Sequence, residues 1–338
     1  MRVIALAAAL LLFACERPAP ERETVGTAKP MDMELLDEEI GKVAERARPA
    51  AFDVGVLSMD GGESWSLNTS RTFPLQSVFK APLGAVVLSE VDRGRLSLDE
   101  VIDIPAQDLS PPYSPISANW PGRTKYTVGE LLVRAVGDSD NTAADVLMRR
   151  IGGPGIVQAW LDEQRIRDMR IDRYERELQT EIYGMPSFRP QWRHENTFLA
   201  ALNRVPPAER RAAMERYLTE PRDTATVAAA LNFLQKLSSG QLLSPKSTQL
   251  LLRIMTETKT GQARLKAGLP EGATLAHKTG TGRTDRGINP ATNDIGIITL
   301  EDGRRYGVAV FLAGSQAPPQ ERDAIIADVA RAVVKAAG

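Results

Sequence analysis

The sequence predicts an α/β fold in two lobes, and three observations predict it. Strand-like runs gather near the two ends of the chain, the long middle carries helical periodicity, and a helix flanks the strand-rich part on either side. Residues 31–70 and 264–338 then form an antiparallel sheet flanked by helices, and residues 71–263 form a mainly helical lobe. With 338 residues, 43% of them hydrophobic, the chain is long enough to bury a substantial core.

The first residues stand outside this fold. Arg2 precedes an apolar run from Val3 to Ala14, which is too short for a membrane-spanning helix of about 20 residues and reads as a signal peptide over 1–14. The run ends Leu12-Phe13-Ala14-Cys15, which resembles a bacterial lipobox although Phe13 is bulky for one. The only cysteine of the chain falls there. Cys15 is therefore expected to carry lipid, on an exported, periplasmic protein held to a membrane through that anchor only. Residues 16–30 hold three prolines and several charges and cannot build a core, so 15–30 read as a lipid-anchored linker. The folded domain is expected over 31–338.

Within it, Leu35, Leu36, Ile40 and Val43 follow helical spacing and predict a helix over about 33–48. AFDVGVLSM and SWSLN alternate around Asp60-Gly61-Gly62 and predict a hairpin. The middle reads as helices in SVFKAPLGAVVLSEVDRG, VGELLVRAVGDSDNTAADVLMRRIGG, TATVAAALNFLQKLSSG and SPKSTQLLLRIMTET, with Gly94, Gly152 and Gly240 as C-terminal stops. Strand character returns in TLAHKTG, NDIGIITL and RRYGVAVFLAG, with Asp302-Gly303 as a turn. ERDAIIADVARAVVKAAG is the closing helix.

Several chemistries are excluded by counting. A formal net charge of −1 gives no electrostatic case for nucleic acid. One cysteine and two distant histidines, His194 and His277, supply no zinc-ligand spacing, so no metal is expected. There is no G-x-S-x-G and no phosphate loop. A serine nucleophile would therefore need a lysine as its base, and Ser77-Val78-Phe79-Lys80 offers that pair, three residues apart on one helical face. S-x-x-K alone is weak, expected about once by chance in a chain of this length. Ser139-Asp140-Asn141 and Lys278-Thr279-Gly280 are rarer, each expected about 0.1 times, and the three occur in this order.

This trio resembles that of class A β-lactamases and penicillin-binding proteins. The resemblance runs from about Met31 to the C-terminus and implies a β-lactamase/transpeptidase-like fold and a serine hydrolase without cofactor. It further implies that Ser77 is acylated with help from Lys80, that Ser139 passes a proton to the leaving nitrogen, and that Asn141 binds the substrate amide. Lys278, Thr279 and Gly280 would lie on a strand beside the substrate carboxylate, and the Thr281 N–H would share the oxyanion hole with that of Ser77. Arg173-Tyr174-Glu175-Arg176-Glu177-Leu178 is similar to the Ω-loop of class A enzymes, with Glu175 as the base that releases the acyl-enzyme. Asp223 is the implied ion-pair partner of Arg173, Tyr113 the aromatic wall of the pocket, and Arg264 a second carboxylate anchor.

Two departures from the pattern stand out. Gln179 replaces the usual asparagine beside the hydrolytic water, moving its amide by one methylene. Compact Ω-loops run to roughly 6–16 residues, whereas 48 positions separate Glu175 from Asp223. The inserted stretch, about 180–221, reads as two helices over 195–203 and 208–219 and carries Tyr183, Phe188, Trp192 and Phe198. It is expected either as a lid on the active site or as an insertion packed away from it.

Plainer readings stand beside these. Ser139-Asp140-Asn141 also suits a helix N-cap, Arg264 a solvated helix end, Arg173 with Glu175 a structural ion pair, and His277 a packed strand histidine. The expected substrate is a small-molecule β-lactam and the expected state a monomer. A DD-peptidase acting on peptidoglycan stem peptides, a β-lactam receptor that does not turn over, and another serine hydrolase share parts of the motif set. Glu175 weighs against the first.

Overall fold

The computed structural model describes residues 30–68 and 70–338, so the signal peptide expected over 1–14, Cys15 and nearly all of the linker lie outside the described residues. Among the described residues no helix is long and apolar enough to cross a membrane.

α1 (Met33–Ala47) is capped by Asp32, whose carboxylate accepts from the Leu35 N–H at 3.0 Å, and it buries the Leu36, Ile40 and Val43 stripe that its periodicity announces. β1 (Ala51–Ser58) and β2 (Ser64–Ser66) form the hairpin, with Gly62 at φ 74° in its turn. β3 (Phe73–Pro74) and a 3₁₀ turn (Gln76–Phe79) lead into α2 (Lys80–Asp92). β4 (Val101–Asp103), α3 (Pro115–Asn119) and β5 (Lys125–Thr127) precede α4 (Val128–Val136) and α5 (Asn141–Arg150). Next come α6 (Pro154–Glu163), α7 (Glu175–Glu181), α8 (Glu195–Leu202), α9 (Pro207–Tyr217) and β6 (Thr224–Ala225), the last paired with β3. α10 (Val227–Ser238), α11 (Pro245–Thr256), β7 (Thr274–Thr281), β8 (Thr292–Thr299), β9 (Arg305–Ala313) and α12 (Pro319–Ala337) complete the chain.

The main sheet is antiparallel in the order β2-β1-β9-β8-β7, which leaves β7 as an edge strand. Side chains alternate across it. Val308, Val310 and Leu312 pack with α1 and α12, whereas Ala309, Phe311 and Ala313 join the larger core shared with the helical lobe. Helices therefore cover both faces. This is why β1 is buried almost end to end rather than on alternate positions, a point on which the alternation expected of AFDVGVLSM is corrected. Phe73 stacks on Phe311 with ring centroids 5.7 Å apart and ties the start of the helical lobe to the sheet.

α2 is buried from Lys80 through Ser89 and packs against α4, α5, α6 and α11. A helix apolar on all sides belongs at the centre of a lobe. Its first residue is a lysine buried in that core.

Candidate active site

Ser77 and Lys80 do not share an α-helix as their spacing suggests. Ser77 lies on the 3₁₀ turn and Lys80 is the first residue of α2, but i and i+3 eclipse in a 3₁₀ turn, so the two still meet. Lys80 Nζ lies 3.0 Å from Ser77 Oγ. It also donates to Asn141 Oδ1 at 2.6 Å and to the Ser139 carbonyl at 2.9 Å, and pairs with Glu175 Oε1 at 2.8 Å. Ser77 Oγ is 3.4 Å from the same Glu175 oxygen. All hydrogen bonds and the ion pair of this fully buried lysine thus fall on Ser77, the Ser139-Asp140-Asn141 turn and Glu175.

The helical run around Ser139-Asp140-Asn141 breaks there. Asp140 caps α5, its carboxylate accepting from the Ala143 N–H at 3.0 Å, from Ser114 Oγ at 2.7 Å and from the Ile116 N–H at 2.8 Å. The capping reading is therefore correct for Asp140 alone. Its flanking residues turn into the cleft, Ser139 with φ 62°, a conformation that costs a non-glycine residue on the order of 1–3 kcal/mol. Gln76, directly before Ser77, has φ 47°. Both positions adjoin the Ser77–Lys80 pair, Gln76 in sequence and Ser139 through its carbonyl on Lys80 Nζ.

β7 supplies the opposite wall. Lys278 is buried, and its Nζ donates to Ser139 Oγ at 3.0 Å and to the Thr279 carbonyl at 3.0 Å. Burial holds the Lys278 ammonium well below the usual lysine range, and the positive charge of Lys80 lowers it further. Gly280 is required where β7 crosses the 3₁₀ turn, because an added Cβ would run into the Leu75 carbonyl oxygen. Asn293 on β8 fixes the same crossing by donating to the Pro74 and Leu75 carbonyls at 2.8 and 3.2 Å. Gly282 donates to the Ala291 carbonyl at 2.8 Å, so strand alternation turns the Thr281 N–H to the free edge of β7.

Arg264 is 7% exposed, which rules out the solvated helix end. Its guanidinium bonds Asp323 at 2.7 Å, the Asn293 carbonyl at 2.9 Å and Thr281 Oγ1 at 2.7 Å. Thr279 Oγ1 is 2.8 Å from Thr260 Oγ1, a partner that the sequence did not single out. Tyr113, 63% exposed, stands at the mouth. His277 is a packed strand residue, with Nδ1 2.8 Å from Asp294 Oδ1.

Glu175 begins α7, and what holds it there was invisible to motif matching. The buried Asp145 carboxylate accepts from the Glu175 N–H at 2.6 Å, from the Arg176 N–H at 3.0 Å and from Ser110 Oγ at 2.6 Å. Burial raises the Asp145 carboxyl to about 7 against the pull of those donors. Asp145 lies four residues after Asn141 on α5, a spacing that puts both on one face and was the available signal. Gln179 Nε2 donates to Glu175 Oε2 at 2.9 Å. Arg173 pairs with Asp223, Nε to Oδ2 at 2.6 Å, and also with Glu181 and Glu220.

The inserted stretch forms α8 and α9 close to where its two helices were expected. It is bound to the β7–β8 connection by Tyr183 Oη on the Arg283 carbonyl at 3.0 Å, by Glu195 with Arg283 at 2.6 Å and by Arg210 with Asp285. Phe198 and Arg283 line one cavity with Ser77, Ser139, Gln179 and Thr281, of about 350 Å³. Cavities of this size take small molecules. The insertion is thus a wall of the site. Among the described residues no group of acidic, histidine or cysteine side chains is arranged to hold a metal ion.

A serine, a buried lysine and a buried glutamate at the seam between a sheet lobe and a helical lobe define a serine acyl-transfer hydrolase. The family model of the beta-lactamase enzyme family matches residues 35–337. Beta-lactamase VEB-1 of Pseudomonas aeruginosa is 33% identical over 287 residues, covering 85% of each chain. Extended-spectrum beta-lactamase PER-1 of the same species is 32% identical over 299 residues, covering 88% of this chain and 85% of the other. Among solved structures, a beta-lactamase from Chitinophaga pinensis superposes with a TM-score of 0.74 at 32% identity, covering 90% of this chain and 99% of that one. An ancestral class A beta-lactamase reaches a TM-score of 0.72 at 34% identity, covering 89% and 99%. The chain belongs to the beta-lactamase enzyme family and is a class A serine β-lactamase, a hydrolase of β-lactams.

Proposed function

We propose that Ser77 Oγ opens the β-lactam amide, losing its proton to the Lys80–Glu175 pair, and that Glu175 then deprotonates the water that frees the enzyme. The observation that carries this reading is Lys80 Nζ placed 3.0 Å from Ser77 Oγ and 2.8 Å from Glu175 Oε1. As the tetrahedral intermediate collapses, the lactam C–N bond breaks and Ser139 Oγ gives its proton to the leaving nitrogen, and Lys278 Nζ, 3.0 Å from that oxygen, re-supplies it, the proton held by the Lys80–Glu175 pair and the one given by Lys278 being equalised through solvent. The Ser77 and Thr281 amides receive the oxyanion. Asn141 with the rim at Tyr113 meets the acylamino group, and Lys278, Thr279 and Arg264 attract the substrate carboxylate. In deacylation, water attacks the ester carbonyl and Ser77 Oγ leaves with a proton returned from the pair.

Time-resolved intact mass of residues 31–338 with a penicillin tests these roles. Wild type should return to its free mass while Glu175→Ala stays acylated and Ser77→Ala never gains mass. Persistent acylation of the wild type would remove Glu175 from the deacylation step.

The finer placement of the protein is part of the same proposal. The 1–14 segment directs export, Cys15 is lipid-modified, residues 15–30 are the tether, and residues 31–338 work as a periplasmic monomer built of the two lobes. The Leu12-Phe13-Ala14-Cys15 run supports this. Loss of membrane fractionation in Cys15→Ala, with a single monomeric species in sedimentation, is the expected result.

A further inference from the structure

The insertion reaches the catalytic acid by a route separate from the cleft wall. Glu175 Oε2 accepts from Gln179 Nε2 at 2.9 Å, and the same nitrogen donates to Gln76 Oε1 at 3.1 Å. Gln76 Nε2 in turn donates to Tyr217 Oη at 2.6 Å. Tyr217 is the last residue of α9, and its ring is buried beside the Arg173 guanidinium, 5.9 Å from the ring centre.

We propose that Tyr217, delivered by the inserted segment, is a positioning residue for deacylation that acts on the Glu175 carboxylate through the side-chain amides of Gln76 and Gln179. This rests on the reading of Glu175 as the base for the hydrolytic water.

The polarity of the chain follows from its charged end. A carboxylate only accepts, so Gln179 must present its NH₂ to Glu175. That NH₂ then demands the carbonyl oxygen of Gln76, and the Gln76 NH₂ is left facing Tyr217, whose hydroxyl takes it. Each amide is thereby fixed in one of its two orientations. Gln179, which lines the cleft, spends both N–H groups on Glu175 and Gln76, so its Oε1 is left as the free acceptor of that amide. The longer glutamine, one methylene away from the usual asparagine, is in this way held from behind rather than free to rotate. Burial raises the Tyr217 hydroxyl well above 10, so it stays a neutral partner throughout the assay range. Its anchor is the strained Gln76, whose left-handed backbone turns the side chain under the nucleophile toward α9.

Tyr217→Phe removes one oxygen and leaves the ring. Acylation and deacylation rate constants would be measured with one penicillin by rapid-quench intact mass for wild type, Tyr217→Phe, Gln179→Ala, the double variant, Glu175→Ala, and Met214→Leu as a packing control on the same helix. Deacylation should fall about tenfold in Tyr217→Phe, the effect of one buried hydrogen bond, with acylation changed less than about twofold. Met214→Leu should leave both rates near wild type. In the Gln179→Ala background the further loss from Tyr217→Phe should vanish, because the link is already cut. Equal slowing of both steps, unchanged deacylation, or additive effects with Gln179→Ala would each overturn the proposal. Failure of Glu175→Ala to accumulate acyl-enzyme would instead overturn the reading beneath it.

Discussion

Lys80 and Glu175 form a salt bridge of 2.8 Å with neither side chain exposed to solvent. Their charges have left water, so the pair is stable only as a pair, each partner offsetting the desolvation of the other. Three neutral acceptors around Lys80, namely Ser77 Oγ, the Ser139 carbonyl and Asn141 Oδ1, complete its shell. Glu175→Leu should therefore cost on the order of 3 kcal/mol by leaving a buried ammonium without a counter-charge. Lys80→Met/Glu175→Leu should recover part of that loss while remaining inactive. Urea denaturation of the two single variants and the double variant measures the coupling. Additive losses would mean that the pair contributes only through its separate neighbours.

With Lys278 as the proposed cation for the substrate carboxylate, substrate capture should depend on pH. Its ammonium is held below the ordinary lysine range by burial and by Lys80, so on raising the pH it discharges earlier than an exposed lysine near 10.4 would. The neutral amine loses its attraction for the substrate carboxylate. KM for a penicillin is thus expected to rise across the alkaline limb at lower pH than an exposed lysine would give, with kcat changing less because bound carboxylate favours the ammonium again. Lys278→Arg, which stays charged, should start from a weaker KM at neutral pH but show a flat alkaline limb. A flat wild-type KM over the whole range would refute the assignment.

How much of this was legible depended on the kind of information each residue carries. Ser77, Lys80, Ser139, Asn141 and Lys278 sit in short local patterns, and the structure brings all five into one contact network. Helix and strand positions were legible where one face alternates with another, as in α1. They were misjudged in β1, where helices on both sides erase the alternation. Asn293 and Tyr217 could not be read because each acts by reaching a group distant in sequence, 219 positions in the case of Asn293 and Pro74, and Asp145 left only its spacing from Asn141 as a signal. The insertion was visible as excess length and as two helices, but its attachment to the β7–β8 connection rests on pairs such as Glu195 with Arg283 that no periodicity encodes.

Gly280 tests how closely the two lobes must meet. The Cβ of an alanine would strike the Leu75 carbonyl oxygen, which is backbone and cannot swing aside, and would crowd Val78 and Gln76 at 3.1 and 3.3 Å. β7 and the 3₁₀ turn must separate, moving Ser77 away from the Thr281 amide. Misplacement of this order costs about 100-fold in rate, so Gly280→Ala should lose at least that much kcat/KM and also melt at a lower temperature. Gly155→Ala is the control. It lies in α6 with open space around its missing Cβ, and it should keep full activity with stability unchanged or raised by about 0.5 kcal/mol. Near-normal kinetics in Gly280→Ala would show that the crossing is looser than the contact implies.

Asp145 predicts a pH dependence of stability with a definite sign. Its carboxyl is raised from an ordinary 3.8 to about 7 by burial, so between those values the folded protein binds a proton that the unfolded chain does not. Stability from this group is therefore lost as pH rises from about 4 to about 7, and above that range the full cost of a buried carboxylate is present. The Glu175 and Arg176 N–H groups and Ser110 Oγ offset part of that cost without removing it. Asp145→Asn keeps an acceptor for the Glu175 N–H and carries no charge to bury. Its melting temperature relative to wild type should rise between pH 5 and about pH 7 and level off toward pH 8, the two proteins being closest at the acid end. Because Asp145 sets the start of α7, deacylation in Asp145→Asn should change with far less pH dependence than the melting temperature does. A melting-temperature difference that stays constant from pH 5 to pH 8 would mean that the three donors already keep the carboxylate ionised throughout, and that α7 is anchored by a charge rather than by a proton-sharing acid.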